Sequence, residues 1–216
     1  MYLKKNSKSG ILGKDETMLY VIMGKSSTGK DTIYRRLISD EELKFKTITT
    51  YTTRPLREGE TDGIEYNFVS NEEMEKLERE GRVIERRSYN TVYGEWNYFT
   101  ADDANIDLQE SYYVIIGTLE SFEKIRDYYG EDMVVPLYIE VEDGERLSRA
   151  LKREKEQTNP KFAEMCRRYL ADEEDFSVDK LVKLGINKVF KNDDVDKCIA
   201  ELKKEIIKRQ HIVNKK

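Results

Sequence analysis

With 216 residues, 38% hydrophobic and 38% charged, the chain is long enough for one domain with inserted lobes and an ordinary core, which excludes a disordered or fibrous protein. Its 38 Lys and Arg against 43 Asp and Glu leave a net charge of −5, so no global positive field exists to hold a nucleic acid backbone, and any anion site must be local. The longest apolar runs, Leu19 to Met23 and Tyr112 to Ile116, fall far short of the ~20 residues that span a bilayer; the two cysteines, Cys166 and Cys198, and the single His211 lack metal-ligand spacing, so neither a zinc site nor a disulfide framework is expected and a reducing cytoplasm is.

Residues 1–17, rich in Lys, Ser, Gly and Asn, are read as a flexible N-terminal extension without the apolar segment of a secretory signal. From Met18 the pattern changes. LYVIM is an apolar run of strand length, followed by a glycine-bounded loop and a helix-like stretch from Lys30 to Ser39. Thr47 to Val69 reads as short strands and turns. Ser70-Asn-Glu-Glu73 is a capping box ahead of Met74 and Leu77, and Gly81 supplies the stop, which predicts a helix over 71–80. YYVIIG (112–117) and VVPLYIEV (134–141) read as buried strands, each followed by a segment of helical period, and this alternation implies a parallel α/β sheet. Residues 143–175 are dense in Arg, Lys and Glu and are divided at Asn159-Pro160, which predicts a helical hairpin. Lys188-Val-Phe190 reads as a last strand. Val195, Cys198, Ile199, Leu202 and Ile206 recur at helical spacing and predict a final amphipathic helix.

Gly24-Lys25-Ser26-Ser27-Thr28-Gly29-Lys30 matches G-x-x-x-x-G-K directly after a predicted strand and before a predicted helix. Glycines at both ends let backbone N–H groups converge on phosphate oxygens, the helix N-terminus adds its positive end, and Lys30 reaches the outer phosphates. The hydroxyl expected after the lysine is replaced by Asp31, with Thr32 one residue late, a rotation of about 100° on a helix. Asp31 could hold magnesium, for which a carboxylate is an ordinary ligand.

The segment Thr50-Tyr-Thr-Thr-Arg54-Pro-Leu-Arg57-Glu-Gly-Glu60-Thr-Asp-Gly63-Ile-Glu-Tyr66-Asn-Phe68-Val resembles the GMP-binding segment of guanylate kinases, with Pro55 one place earlier than usual. Together with the glycine loop, Val83-Ile-Glu85, Tyr93-Gly94 and Asn192-Asp-Asp, the resemblance runs over residues 18–210. It implies an α/β P-loop NTPase fold: a core at 18–49, 97–141 and 176–210, a lobe for the nucleoside monophosphate at 50–96, and a helical lid at 142–175. It also implies ATP and Mg2+ as donor and cofactor. Small-molecule nucleotides are the expected partners, nucleic acid and membrane are not, and the expected assembly is a monomer or homodimer.

Residue by residue, Gly24 to Thr32 and Asn192 would bind ATP. Arg54 and Arg57 would grip the acceptor phosphate with planar forks, helped by the hydroxyls of Tyr66 and Tyr93, with Thr50 beside them. Glu85 would accept from the N1–H and N2 donors of guanine. Lys30, Arg57 and the lid arginines Arg149, Arg153 and Arg168 would neutralise the transferring phosphoryl group. No general base is required, because an acceptor phosphate is already the nucleophile. The chain departs from the family where Ser or Thr is expected after Tyr-Gly and an aspartate pair is expected near 114–118: Glu95, Ile116 and Thr118 stand there, which leaves the base open. Glu95 and Thr118 are the expected base contacts. The readings that stand are a nucleoside monophosphate kinase acting on GMP, a kinase for a deoxynucleotide or a ribose bisphosphate, and a non-catalytic guanylate-kinase-like module that binds phosphopeptides.

Overall fold

The computed structural model describes residues 17–57, 59–64, 66–91, 94–102, 106–108 and 110–213; Tyr93 and residues 1–16 of the expected extension lie outside them. Thr17, the last residue of that expected extension, is instead buried. Its amide and its hydroxyl both donate to the Leu108 carbonyl, at 2.7 and 2.9 Å, which ties the chain down just before the first strand.

The core sheet is built from β1 (Leu19–Met23), β2 (Lys46–Thr47), β7 (Tyr113–Ile116), β8 (Val134–Glu140) and β9 (Val189–Lys191), in the order β2-β7-β1-β8-β9 and parallel throughout. Its central strands read as unbroken apolar runs because both faces are covered. On one face Tyr20, Ile22, Leu137 and Ile139 pack with Ile33 and Leu37 of α1 (Lys30–Ile38) and with Cys198, Leu202 and Ile206 of α7 (Val195–Val213). On the other, Leu19, Val21 and Tyr138 meet Leu119, Phe122 and Ile125 of α3 (Leu119–Tyr129). The connections from β1 first build one side of the sheet and later cross to the other. Its C-terminal end is therefore the switch point where open parallel sheets hold ligands, and the glycine loop begins there.

A second sheet, in the order β4-β3-β6-β5, takes its strands from β3 (Tyr51–Thr52), β4 (Asn67–Phe68), β5 (Val83–Thr91) and β6 (Gly94–Ala101). The helix α2 (Asn71–Arg79) closes a small core with it, Met74 packing with Phe99 and Ala101. The capping box is formed as expected: Ser70 Oγ accepts from the Glu73 amide at 3.2 Å, and Glu73 accepts from the Ser70 amide at 2.9 Å. β6 runs across the expected lobe boundary at 96/97, because it pairs with β5 up to Ala101. α4 (Asp143–Lys155) and α5 (Phe162–Asp175) form the expected hairpin. The short helix α6 (Val178–Lys183) is an element the sequence reading lacks; with Val178 and Val182 exposed, it carries no amphipathic signature. Among the described residues no helix is long and apolar enough to cross a membrane.

This packing sets the two thiols apart. Cys166 is exposed on α5, whereas Cys198 is buried against the core sheet and its thiol is pushed up to about 11 by that burial. Alkylation of the native protein at pH 8 should therefore modify Cys166 alone, with Cys198 reacting only in denaturant; mass spectrometry of the two peptides checks this, and equal labelling would contradict the packing of α7.

Candidate active site

The glycine loop is held by hydrogen bonds to its carbonyls and by Asp172 of α5, which accepts from the Ser26 amide at 2.7 Å. Asn192, buried after β9, donates through Nδ2 to the Thr28 carbonyl at 2.7 Å. Thr28 Oγ1 donates to the Lys25 carbonyl at 2.9 Å. Both loop glycines are required. A Cβ on Gly24 would lie 2.5 Å from the Ile139 carbonyl oxygen; one on Gly29, which has φ 82°, would meet Asn192 Nδ2 at 2.6 Å. Gly29 is also the N-cap of α1 and supplies no side-chain cap, so no capping side chain competes with an anion for the helix N-terminus, where the Thr32 amide donates to the Gly29 carbonyl at 3.1 Å.

Ser27 is held at φ 66°, and its buried Oγ has no hydrogen-bond partner among the described residues. A strained backbone and an orphaned hydroxyl at one residue fit a loop shaped for a bound group. Lys30 is half-buried and makes no ion pair among the described residues. Asp31 and Thr32 are exposed in the first turn of α1, and the Asp31 carboxylate has no side-chain partner there.

The lid hairpin lies against this loop. Arg153 and Arg168 line a narrow crevice together with Ser26 and Ser27, so the structure brings these four expected residues together. Arg149 does not line this crevice but reaches the loop's anchor: its Nε donates to Glu145 at 2.8 Å and its Nη2 to the Asn192 carbonyl at 3.3 Å. The sequence reading passes over Arg146, which is 1% exposed and donates to Asp143, Asp172, Glu173 and the Ser26 carbonyl. Its guanidinium also stacks over the Tyr169 ring, 4.3 Å from the centroid. The i, i+4, i+8 spacing of Arg146, Ala150 and Glu154, all buried, marks the inner face of α4 and was the available signal.

In the lobe, Arg54 is buried. Its fork is taken bidentately by Glu60, at 2.8 and 2.7 Å, and its Nη1 also donates to the Pro55 carbonyl. The guanidinium carbon lies 5.5 Å from the Tyr66 ring centroid and 5.3 Å from that of Phe68. Glu60 also accepts from the Arg57 amide at 2.8 Å, so one carboxylate sets both arginines, while the Arg57 side chain is exposed. Burial raises the Tyr66 phenol above its ordinary value. Thr50 contributes its carbonyl to the Asn67 amide.

Glu85 is buried on β5, where it accepts from Thr100 Oγ1 at 2.8 Å and from Arg87 Nε at 3.1 Å. Cross-strand pairing puts Glu85, Arg87, Tyr98 and Thr100 on one face of the hairpin. Glu95 lies on the other, where its carboxylate accepts from Asn97 Nδ2 at 3.4 Å. The structure therefore does not bring Glu95 to Glu85. Thr118 is the N-cap of α3, its Oγ1 accepting from the Ser121 amide at 3.2 Å. With Arg87 it lines a cavity of about 540 Å³ between β5, α3 and α6.

A parallel sheet covered on both faces, a glycine-cornered loop leading from its central strand into a helix, an inserted lobe and a helical hairpin over the loop together define a P-loop protein of the nucleotide-kinase class. The sequence matches the profile described as guanylate kinase over residues 16–210, and the chain belongs to that family. It is 39% identical over 75 residues to a guanylate kinase of Streptococcus pneumoniae (strain ATCC BAA-255 / R6), 35% of this chain and 36% of that one. It is 40% identical over 72 residues to one of Streptococcus agalactiae serotype III, 33% of this chain and 34% of the relative. The chain thus spans, in these matches, about a third of the length of its curated relatives. The fold is that of a guanylate kinase crystal structure from Anaplasma phagocytophilum, with a TM-score of 0.59 and 18% identity over 91% of this chain and 87% of that one.

The Arg54–Glu60 clamp makes a pH prediction. The Arg54 hydrogen bonds hold the Glu60 carboxyl down at about 2, from an ordinary 4.5. A depressed carboxyl contributes stability that is complete above its unfolded value and is lost as pH falls through the folded one. The stability difference between the native protein and Glu60→Gln should therefore be full above about pH 5 and shrink toward pH 2. Urea unfolding of both proteins across that range checks this, and a constant difference would contradict the clamp.

Proposed function

We propose that the protein is an ATP-dependent nucleoside monophosphate kinase whose acceptor is GMP, converted to GDP by in-line transfer of the donor's terminal phosphoryl group. The observation that carries this reading is the pairing of a glycine loop anchored through its Thr28 and Lys25 carbonyls with a separate lobe in which one carboxylate sets Arg54 and Arg57. Lys30, free of any ion pair among the described residues, is available to the donor's outer phosphates. Arg57 offers an exposed fork to the acceptor phosphate, with Arg54 behind it and the Tyr66 ring against Arg54. Arg153 and Arg168 stand over the loop, where charge develops during transfer.

The orphaned Ser27 hydroxyl, and the close packing of the loop that Gly24 and Gly29 allow against Ile139 and Asn192, fit a loop shaped for the phosphates of ATP. Asp31, with those phosphates, would hold Mg2+, which when bound neutralises phosphate charge. Glu85 supports a purine with adjacent N–H donors, although Arg87 shares its carboxylate and must be accommodated by the base. A cytoplasmic setting, where ATP is supplied, agrees with this reading.

A panel of nucleoside monophosphates, deoxynucleotides and ribose 1,5-bisphosphate, each with ATP and Mg2+, tests it by direct detection of product. GDP formed fastest is the expected result; no diphosphate from any nucleotide would overturn the reading, and faster turnover of the sugar would replace it. Lys30→Ala should abolish transfer and leave GMP binding intact, because the lysine serves only the donor.

A further inference from the structure

The acid expected to read the base is held behind a cation. Glu85 has only 2% of its side chain exposed, whereas Arg87, on the same face of β5, has 23%. The Arg87 guanidinium donates to the carboxylate through Nε at 3.1 Å and Nη2 at 3.4 Å, and Thr100 Oγ1 donates to it at 2.8 Å from the neighbouring strand. Oε1 thus carries two donors and Oε2 one. A carboxylate offers about four acceptor positions, so a single one is left. The other N–H groups of Arg87 make no hydrogen bond among the described residues. Arg87 lines, with Thr118, the cavity of about 540 Å³ between β5, α3 and α6, whereas Glu85 does not reach its wall. That volume lies within the range of small-molecule sites, roughly 300–1,000 Å³.

A base entering from this cavity meets a donor first, with one acceptor position beside it. Guanine offers in sequence along one edge the O6 acceptor, the N1–H donor and the 2-amino donors. The remaining position on Glu85 can take N1–H but not the 2-amino group as well, and a guanidinium is the usual partner of a purine O6. We infer that Arg87 is a specificity-determining residue for the acceptor: with Glu85 it reads the C6=O and N1–H of a 6-oxopurine and leaves the 2-amino group unread, so that inosine monophosphate (IMP) is accepted along with GMP. Adenine is refused, since it places an amino donor where Arg87 needs an acceptor and has no N1–H for Glu85. This inference rests on the proposed reading of the chain as a nucleoside monophosphate kinase and names the edge of the base by which the acceptor is chosen.

In a site that pairs the 2-amino group with a carboxylate, loss of that group costs roughly tenfold to hundredfold in affinity, the worth of a hydrogen bond to a charged partner. Calorimetric titration of the full chain with GMP, IMP and AMP tests this on the native protein and on Arg87→Met. The native preference for GMP over IMP should be under about tenfold, with AMP at least about tenfold weaker than both. Removing the guanidinium frees acceptor positions on Glu85, so Arg87→Met should raise the preference for GMP over IMP by about tenfold or more. Arg87→Gln, which keeps a polar end, takes its place if the apolar variant does not fold, and the native comparison needs neither. A native preference for GMP of tenfold or more, AMP bound within tenfold of the others, or a preference that the folded variant leaves unchanged overturns the role of Arg87. Binding of none of the three nucleotides by the native protein overturns the acceptor reading itself.

Discussion

A backbone that is to bind phosphate must leave several N–H groups unpaired on one side, and a loop with unpaired amides cannot hold itself in shape. The glycine loop meets this constraint by taking its support from behind. The Asn192 amide holds the Thr28 carbonyl, the Thr28 hydroxyl closes the turn on Lys25, and the Ile139 carbonyl presses on Gly24 so closely that no side chain fits. These supports come from the two strands flanking one side of β1 and the segment that follows them, so the sheet order is also what positions the loop. Everything proposed about donor binding depends on this arrangement.

The lobe solves the complementary problem of holding arginines ready without letting them collapse onto the nearest acid. Glu60 takes the fork of Arg54, and Tyr66 and Phe68 lie within cation–π range of it, while Arg57, among the described residues, is tied only by its backbone. One arginine is thereby a structural post and the other remains free. With Arg54 buried and Glu60 partly exposed, the pair fixes the geometry of the lobe, and loss of the carboxylate alone would leave a buried guanidinium without its partner. At the glycine loop the helical hairpin contributes charge of both signs, Glu173 pairing with Lys25 while Arg146 pairs with Asp172.

The parts of this structure legible in sequence are those whose cause is local. A strand covered on both faces must be apolar throughout, a left-handed corner calls for glycine, and a capping box needs only four residues; β1, the loop and α2 follow from these. The lid contacts are illegible for the opposite reason. Ser26 and Asp172 are 146 residues apart, and nothing near either one marks the partner. The hairpin β5–β6 was hidden because β5 is an edge strand, and VIERRSYNT lacks apolar alternation. Glu95 and Glu85 were both expected to contact the base, but strand register, which sequence does not display, puts them on opposite faces of the hairpin.

The central claim is that donor and acceptor phosphates are held at two sites close enough for direct transfer. A single molecule carrying adenosine and guanosine joined by five phosphates tests this most directly. It should bind with one molecule per protein, more tightly than ATP or GMP alone, and be displaced by either nucleotide. Affinity no greater than that of ATP, with no competition from GMP, would contradict the account.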